Sequence, residues 1–239
     1  MNNFSSILSE LKKKPFNQES QDYLNYHALR YRILLKTLMG LVAGDKKSSL
    51  KILDVGPSFQ TIMLGKLLPW VKIDTLGLKD DQFEPYLKGK FFEFDLNEAQ
   101  FRSKWPKIGK YDFIILAEVL EHLYTSPKIV IDFLTSILEV NGYLIIQTPN
   151  AVSLGKRKTM LLGANPFEMI RETPQYPGHF REYTLKELVE IGQKSRLKPV
   201  EILISNYFPR QDLKAKFYNF LCLFLPSSFR DGITIVFKK

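Results

Sequence analysis

The chain has 239 residues, of which 45% are hydrophobic and 25% are charged, and this composition fits one large globular domain with an extension and excludes wholesale disorder. Its single cysteine excludes an intrachain disulfide, and no apolar run reaches the roughly 20 residues that a membrane-spanning helix needs. Because the first residues lack the apolar core of a signal peptide, we expect a cytoplasmic protein. The net charge of +9 favours an anionic partner, and a solvated basic surface explains it equally well.

The N-terminal part of the chain has a helical pattern. Apolar side chains recur at three- and four-residue spacing over residues 18–42, and the polar run at 45–49 ends the pattern. We therefore predict a helical N-terminal extension over residues 1–48 and a single α/β domain over residues 49–239.

The rest of the chain alternates between strands and helices. We predict strands over 51–55, 71–78, 90–95, 111–117, 142–148, 199–207 and 233–237, and helices over 61–68, 126–140, 184–196 and 213–225. Thr184 should cap its helix, with Glu187 placed for a capping box. Residues 151–182 are rich in glycine and proline, which indicates an inserted, lid-like segment. This alternation predicts a seven-stranded, mostly parallel sheet flanked by helices.

The first strand runs into a turn with a special composition. In ILDVGPSFQT, Gly56 allows a ligand to approach the backbone, and the helix that follows offers free N–H groups. The segment, with Asp54 and Ser58, resembles motif I of the class I S-adenosylmethionine-dependent methyltransferases. It departs from that motif where Ser58 and Gln60 replace further glycines. A tight turn without a ligand is the alternative.

Two later segments strengthen this resemblance. YDFIILAEVLEHL, which contains Ala117, is similar to the family's signature after strand four, and NGYLIIQTPN resembles its fifth strand. The glycine fingerprint of nicotinamide dinucleotide enzymes is absent. The resemblance implies a Rossmann-like fold and S-adenosyl-L-methionine as cofactor, with Ala117 among the residues that contact it.

The same resemblance assigns the nucleoside contacts. In the family, an acid after the second strand binds the ribose hydroxyls, and an acid after the third contacts the adenine amino group. These roles fall to Asp80 and to Asp95, which Leu96 follows. Two alternatives stay open: Asp74 for the ribose, and a purely capping role for Asp95.

Acidic residues and histidines follow the fourth strand. Glu118, Glu121 and His122 would share one face of a helix, where they could bind Mg²⁺ or Mn²⁺. This Glu-x-x-Glu-His pattern resembles ubiquinone-pathway O-methyltransferases and small-RNA 2′-O-methyltransferases, and His179 in GHFREYT is similar to a further ligand of the RNA enzymes. The resemblance implies a metal held by Glu118, Glu121, His122 and His179. The alternative is a metal-free site in which His122 or His179 is the general base.

These patterns predict methylation of an oxygen, or less readily of a nitrogen, on a small or carrier-linked acceptor. RNA 2′-O-methylation is an alternative that lacks a recognisable RNA-binding module, and a binding protein without catalysis is another. Basic and aromatic residues of the insertion suggest a lid over an anionic acceptor or a solvated loop: Lys156, Arg157, Lys158, Arg171, Tyr176, Phe180 and Arg181. Four phenylalanines suggest an apolar wall, a peripheral membrane contact or burial against the sheet: Phe217, Phe220, Phe224 and Phe229.

Overall fold

The computed structural model describes residues 2–45, 47, 49–173, 178–207, 218, 220 and 224–239. Most of the helix predicted over 213–225 lies outside the described residues, as do Tyr176 and Phe217. No helix in the described part of the chain is long and apolar enough to cross a bilayer.

The centre of the molecule is a seven-stranded sheet. Its strands are β1 (Lys51–Val55), β2 (Lys72–Gly77), β3 (Phe91–Glu93), β4 (Tyr111–Ala117), β5 (Leu138–Pro149), β6 (Lys198–Ser205) and β7 (Gly232–Lys238). The spatial order is β3-β2-β1-β4-β5-β7-β6, with β1 to β5 parallel and β7 antiparallel to both of its neighbours. The predicted mostly parallel α/β sheet is confirmed, and the strand order reverses between β1 and β4, where ligands of such sheets bind.

Helices cover both faces of the sheet. They are α1 (Asn2–Lys12), α2 (Gln18–Tyr26), α3 (Ala28–Gly44), α4 (Phe59–Leu67), α5 (Pro127–Ser136), α6 (Leu154–Leu161) and α7 (Leu185–Lys194). Alternate residues of the central strands point to opposite faces. Ile52 and Phe113 join the core under the N-terminal helices, while Leu53 and Ile114 join the core under α5 and α7.

Two predicted helix boundaries are wrong. The helix predicted over 18–42 is two helices, because His27 leaves the helical conformation at φ −91° and ψ 2° and ends α2. The helix predicted over 126–140 ends at Ser136, because Leu138 pairs with Tyr111 and begins β5 four residues before the predicted start of that strand. The early start of β5 depends on pairing with a distant strand, which local periodicity does not encode. The break at His27 occurs where its ring packs against Tyr23 and accepts from Arg30, both close in the sequence.

Candidate active site

The turn after β1 contains two of the predicted site residues, Gly56 and Ser58. Gly56 has a φ of 77°, and its N–H donates to the Leu76 carbonyl at 2.9 Å. Ser58 caps α4 through a reciprocal pair of hydrogen bonds with Thr61. A Cβ on Gly56 would lie 2.6 Å from Cγ2 of Val119, so glycine is required here for space as well as for conformation.

Asp54 ties this turn to the first turn of α4. Its fully buried carboxylate accepts from Gln60 Nε2 at 2.9 Å and from Thr61 Oγ1 at 2.6 Å. Burial raises the pKa of Asp54 to about 7, against the opposing effect of these hydrogen bonds. The side chain of Asp54 therefore fixes the end of β1 to the first turn of α4.

The two ribose candidates lie in different places. Asp80 is exposed beyond the end of β2, where its side chain accepts from the Gln82 N–H at 2.9 Å. Asp74 is buried within β2 and accepts from Tyr111 Oη at 3.0 Å and from the Lys90 N–H at 2.8 Å. Because Tyr111 begins β4, Asp74 faces the amino ends of the strands, away from the Gly56 turn.

The turn after β3 carries the adenine candidates. Asp95 Oδ1 accepts from the Asn97 N–H at 2.9 Å, which is the expected capping contact, and Leu96 beside it is buried. Asn97, which is absent from the predicted site, accepts from the N–H groups of Tyr124 at 2.9 Å and Thr125 at 3.2 Å. Its side chain therefore joins the turn after β3 to the segment after β4.

Glu118 directly follows Ala117, the last residue of β4, and its backbone is left-handed, with a φ of 54°. The short 3-10 helix Leu120–His122 begins only afterwards, so the helical spacing assumed for Glu118, Glu121 and His122 does not form. The Glu118 N–H donates to the Gln147 carbonyl at 2.8 Å, which anchors this bend to β5. Its Oε1 is buried without a hydrogen-bond partner among the described residues.

Glu121 is completely buried at the end of β5. Its Oε2 accepts from Thr148 Oγ1 at 3.0 Å, while Oε1 has no partner in the described part of the chain. Burial, and secondarily the nearby Glu118 charge, raises the pKa of Glu121 well above its usual range. The backbone carbonyl of Glu121 accepts from the Phe180 N–H at 2.8 Å, which brings the end of the insertion onto this site.

Two histidine rings meet beside Glu121. Those of His122 and His179 are 4.7 Å apart between centroids, in an edge-to-face arrangement. His122 Nδ1 lies 2.9 Å from the Gly178 carbonyl, so it carries the proton and donates, which leaves Nε2 with a free lone pair. Burial lowers the pKa of His122, and it lowers the pKa of His179 to about 4, with the neighbouring His122 adding to the effect. Both rings are therefore neutral near pH 7.

Three of the four predicted metal ligands converge. One ligand atom from each of Glu121, His122 and His179 can be chosen so that all lie within 4.8 Å of one another. Within the described residues Glu118 is not part of this group, because its left-handed backbone precedes the 3-10 helix. This three-residue cluster is suited to holding a divalent cation or to moving a proton.

Comparison with known proteins adds the family. A family model described as a methyltransferase domain matches residues 26–202, more than two thirds of the chain. The chain belongs to this methyltransferase family. The predicted resemblance to class I S-adenosylmethionine-dependent methyltransferases is thereby confirmed. A search among curated proteins found no match.

Solved structures of methyltransferases share the fold. A SAM-dependent methyltransferase from Archaeoglobus fulgidus is similar with a TM-score of 0.57 at 16% identity, over 91% of this chain and 99% of that one. Magnesium protoporphyrin IX methyltransferase from Synechocystis PCC 6803, with bound SAH, has a TM-score of 0.57 at 15% identity, over 100% of this chain and 93% of that one. The N-methyltransferase NodS from Bradyrhizobium japonicum WM9, in complex with S-adenosyl-L-homocysteine, has a TM-score of 0.53 at 13% identity, over 100% of this chain and 99% of that one.

The N-terminal helices of this methyltransferase contribute a buried cation. Arg30 in α3 is 1% exposed and donates through Nε to His27 Nδ1 at 3.2 Å and through a terminal nitrogen to Gln60 Oε1 at 3.4 Å. No carboxylate among the described residues lies within ion-pair distance of its guanidinium. Against the lowering effect of burial, Tyr31 and then the Glu118 and Glu121 charges raise the pKa of Arg30. Arg30 is absent from the predicted site, since a lone arginine in a helix usually indicates a solvated face.

The basic residues of the insertion are largely paired within the methyltransferase. Lys156 forms an ion pair with Glu182, Arg171 donates to Glu168 at 2.9 Å, and Arg181 donates to Glu187 at 2.6 Å. Burial lowers the pKa of Lys156 to about 8. These pairs engage three of the basic side chains that the sequence suggested for an anionic acceptor.

Proposed function

We propose that the protein transfers a methyl group from S-adenosyl-L-methionine to an oxygen of a small or carrier-linked acceptor. The observation that carries this proposal is the pair of neutral imidazoles, His122 and His179, beside the buried carboxyl of Glu121. A hydroxyl acceptor must lose a proton as it is methylated, and a neutral imidazole is the side chain best suited to take it. A neutral amine would need no such base to attack.

The residues of the β1 turn fit this cofactor. Its methionine end carries a carboxylate and an ammonium group. Near the turn lie the buried guanidinium of Arg30, which donates to Gln60 Oε1, and Glu118 Oε1, which has no hydrogen-bond partner among the described residues. Asp80 and Asp95, with Leu96, remain our candidates for the ribose and the adenine. When bound, S-adenosylmethionine supplies a methyl group on a positively charged sulfur, which leaves as a neutral thioether.

Our first candidate for the base that takes the proton of the acceptor hydroxyl is His122 Nε2. The hydrogen bond from Nδ1 to the Gly178 carbonyl fixes the tautomer, so Nε2 has a lone pair before any substrate arrives. His179 is the second candidate base, because its Nδ1 lies 3.1 Å from Glu182 Oε1 and can donate there in the same way. Phe180, which follows His179 in the sequence, packs edge-to-face against Tyr124, with the ring centroids 5.8 Å apart.

A divalent cation at the same cluster is a second candidate. The observation in its favour is the unpartnered Glu121 Oε1 next to the two imidazoles. Mg²⁺ or Mn²⁺ held by Glu121, His122 and His179 would lower the pKa of the acceptor hydroxyl. His122 cannot bind a metal and act as the base at the same time, because its Nε2 lone pair can either coordinate the ion or accept the proton.

The two roles can be separated with methyl-labelled S-adenosylmethionine and fractionated small-molecule, lipid and RNA extracts as acceptors. We expect label in a small-molecule or lipid fraction, and a loss of about 10²–10⁴-fold in turnover for His122→Gln or His179→Gln, with cofactor affinity unchanged. A strong chelator that leaves turnover intact supports the base, and loss restored by Mn²⁺ supports the metal. If the label appears in RNA alone, the acceptor is RNA and not a small or carrier-linked molecule. Cofactor binding without transfer to any fraction would instead indicate a binding protein.

A further inference from the structure

The end of α6 exposes an unusual set of apolar side chains. Met160, Leu161 and Leu162 are consecutive and are 58%, 87% and 75% exposed. In the loop that follows, Met169 is 88% and Ile170 is 54% exposed. We name these five residues the apolar tip. Monomeric proteins rarely leave several large apolar side chains exposed so close together unless the surface contacts a partner or a membrane.

The backbone holds the start of this tip in a tight turn. Gly163 has a φ of 77°, and the Ala164 N–H donates to the Thr159 carbonyl at 3.1 Å, so the chain reverses directly after the helix. Leu161 and Leu162 therefore stand at the convex end of a helix. A convex apolar end enters a soft lipid surface more readily than it fills the flat, closely packed interface of two folded proteins.

Basic residues lie directly behind the tip. Lys156, Arg157 and Lys158 occupy the turn of α6 before it, and Lys158 is exposed. Arg157 also lies over the Phe229 ring, with its guanidinium carbon 4.6 Å from the ring centroid. Lys156 is ion-paired with Glu182 and Arg157 donates to the Val152 carbonyl, so the exposed Lys158 is the one of the three best placed to reach anionic headgroups while the apolar groups enter the acyl region. The net charge of +9 adds long-range attraction to a negatively charged surface.

The tip adjoins the candidate active site. Glu168, the neighbour of Met169, accepts from the His179 N–H at 3.0 Å. Phe180, which follows His179, is 36% exposed and packs against Tyr124, which is 62% exposed. The loop of Met169 and Ile170 is therefore held beside His179 through Glu168.

We propose that the apolar tip inserts into the surface of an anionic lipid bilayer, and that the site beside it methylates an acceptor carrying a lipid tail. The choice of acceptor rests on the proposed methyl transfer, whereas the membrane contact does not. Attachment at this edge would present His122 and His179 to molecules held in the headgroup layer. An acceptor anchored by its tail would then meet the site without leaving the membrane.

Flotation of the full chain with lipid vesicles tests the membrane contact. One set of vesicles contains phosphatidylcholine alone, and the other also contains phosphatidylserine. We expect binding to the anionic vesicles that is weakened at least about tenfold by high salt or by omission of phosphatidylserine. The double variant Leu161→Glu with Leu162→Glu should lose at least about tenfold in vesicle binding.

The matched control is Trp70→Glu. Trp70 is 69% exposed just before β2, at the opposite, amino-terminal edge of the sheet, and its replacement should change vesicle binding less than about twofold. No binding to anionic vesicles, or equal binding by the double variant and the unmodified chain, would overturn the proposal. So would a lipid-free dimer that the double variant converts to monomer, since a second copy would then cover the tip.

Calorimetry with S-adenosylhomocysteine separates the two proposals, because the double variant leaves the β1 turn unchanged. Intact cofactor binding without flotation overturns the membrane contact alone. Flotation without cofactor binding overturns methyl transfer and with it the choice of acceptor, and leaves the membrane contact standing.

Discussion

At the scale of single residues, the N-terminal extension contains a buried pair of polar side chains, His27 and Arg30. The His27 imidazole is 8% exposed and accepts from Arg30 Nε at 3.2 Å, so it must be neutral at Nδ1. Burial, together with the nearby Arg30 charge, lowers the pKa of His27 from 6.5 to about 3. Protonation would put two positive charges side by side in a buried space.

This pair predicts a loss of stability in acid. Because the pKa of His27 is lower in the folded chain than in the unfolded one, its contribution is complete above pH 6.5 and is lost as the pH falls towards 3. The slope is about 1.4 kcal/mol per pH unit in that window. His27→Gln keeps an acceptor for Arg30 without a titrating group, so its free energy of unfolding should fall less steeply between pH 6.5 and pH 4.

Urea unfolding at several pH values measures both slopes. Other buried groups titrate in the same range, so the informative quantity is the difference between the variant and the unmodified chain. Parallel curves for the two proteins would show that His27 is not the group responsible.

At the scale of elements, the helix α7 depends on a reciprocal cap. The Glu187 N–H donates to Thr184 Oγ1 at 3.3 Å, and Glu187 Oε2 accepts from the Thr184 N–H and hydroxyl at 2.8 Å. Hydrogen bonds to Glu187 lower its pKa against the effect of burial, so the carboxylate stays charged. The cap begins the helix directly after the GHFREYT segment, and so it also fixes where His179 leaves the insertion.

Thr184→Ala should remove this cap at a cost of about 1 kcal/mol in the free energy of unfolding. Lys186→Ala, an exposed position in the same turn, is the matched control and should change stability by less than about 0.5 kcal/mol. Urea denaturation compares the two. Equal stability of both variants would mean that the capping bonds contribute nothing measurable.

Elements with a strong local signal are predictable from the sequence. The bounds of β1 and β4 match the predicted ranges, and the predicted capping box at Thr184 and Glu187 is present. Continuous apolar runs and the spacing of capping residues act over a few neighbouring residues, so the elements they predict also form in the folded chain. The early start of β5 depends instead on pairing with Tyr111 in β4, far along the chain.

In the candidate active site, too, some features follow from local sequence motifs and others depend on packing between distant residues. The Gly56 turn and the Glu121–His122–His179 convergence follow motifs that the sequence displays. The left-handed Glu118 and the buried Arg30 do not, because a positive φ at a glutamate and the burial of an arginine are set by surrounding packing. Asn97 joins two loops whose proximity only the sheet order reveals.

At the scale of the whole molecule, the N-terminal extension and the sheet share a core. Leu34 and Leu38 of α3 lie in the same buried cluster as Ile52 and Phe113 of the sheet, and the family match begins at residue 26, inside the extension. We propose that residues 1–48 fold together with residues 49–239, and that residues 151–182 act as a lid over the site. This arrangement places Arg30 against the β1 turn and His179 against His122 from opposite ends of the chain.

Calorimetric titration with S-adenosylhomocysteine measures whether the β1 turn binds the cofactor S-adenosylmethionine. We predict saturable binding of about one molecule per chain, with a dissociation constant of about 1–100 μM. Gly56→Ala should weaken it by at least about tenfold, because a Cβ at φ 77° is strained and meets Val119 at 2.6 Å. If the folded protein binds neither S-adenosylhomocysteine nor S-adenosylmethionine, the β1 turn is not a cofactor site.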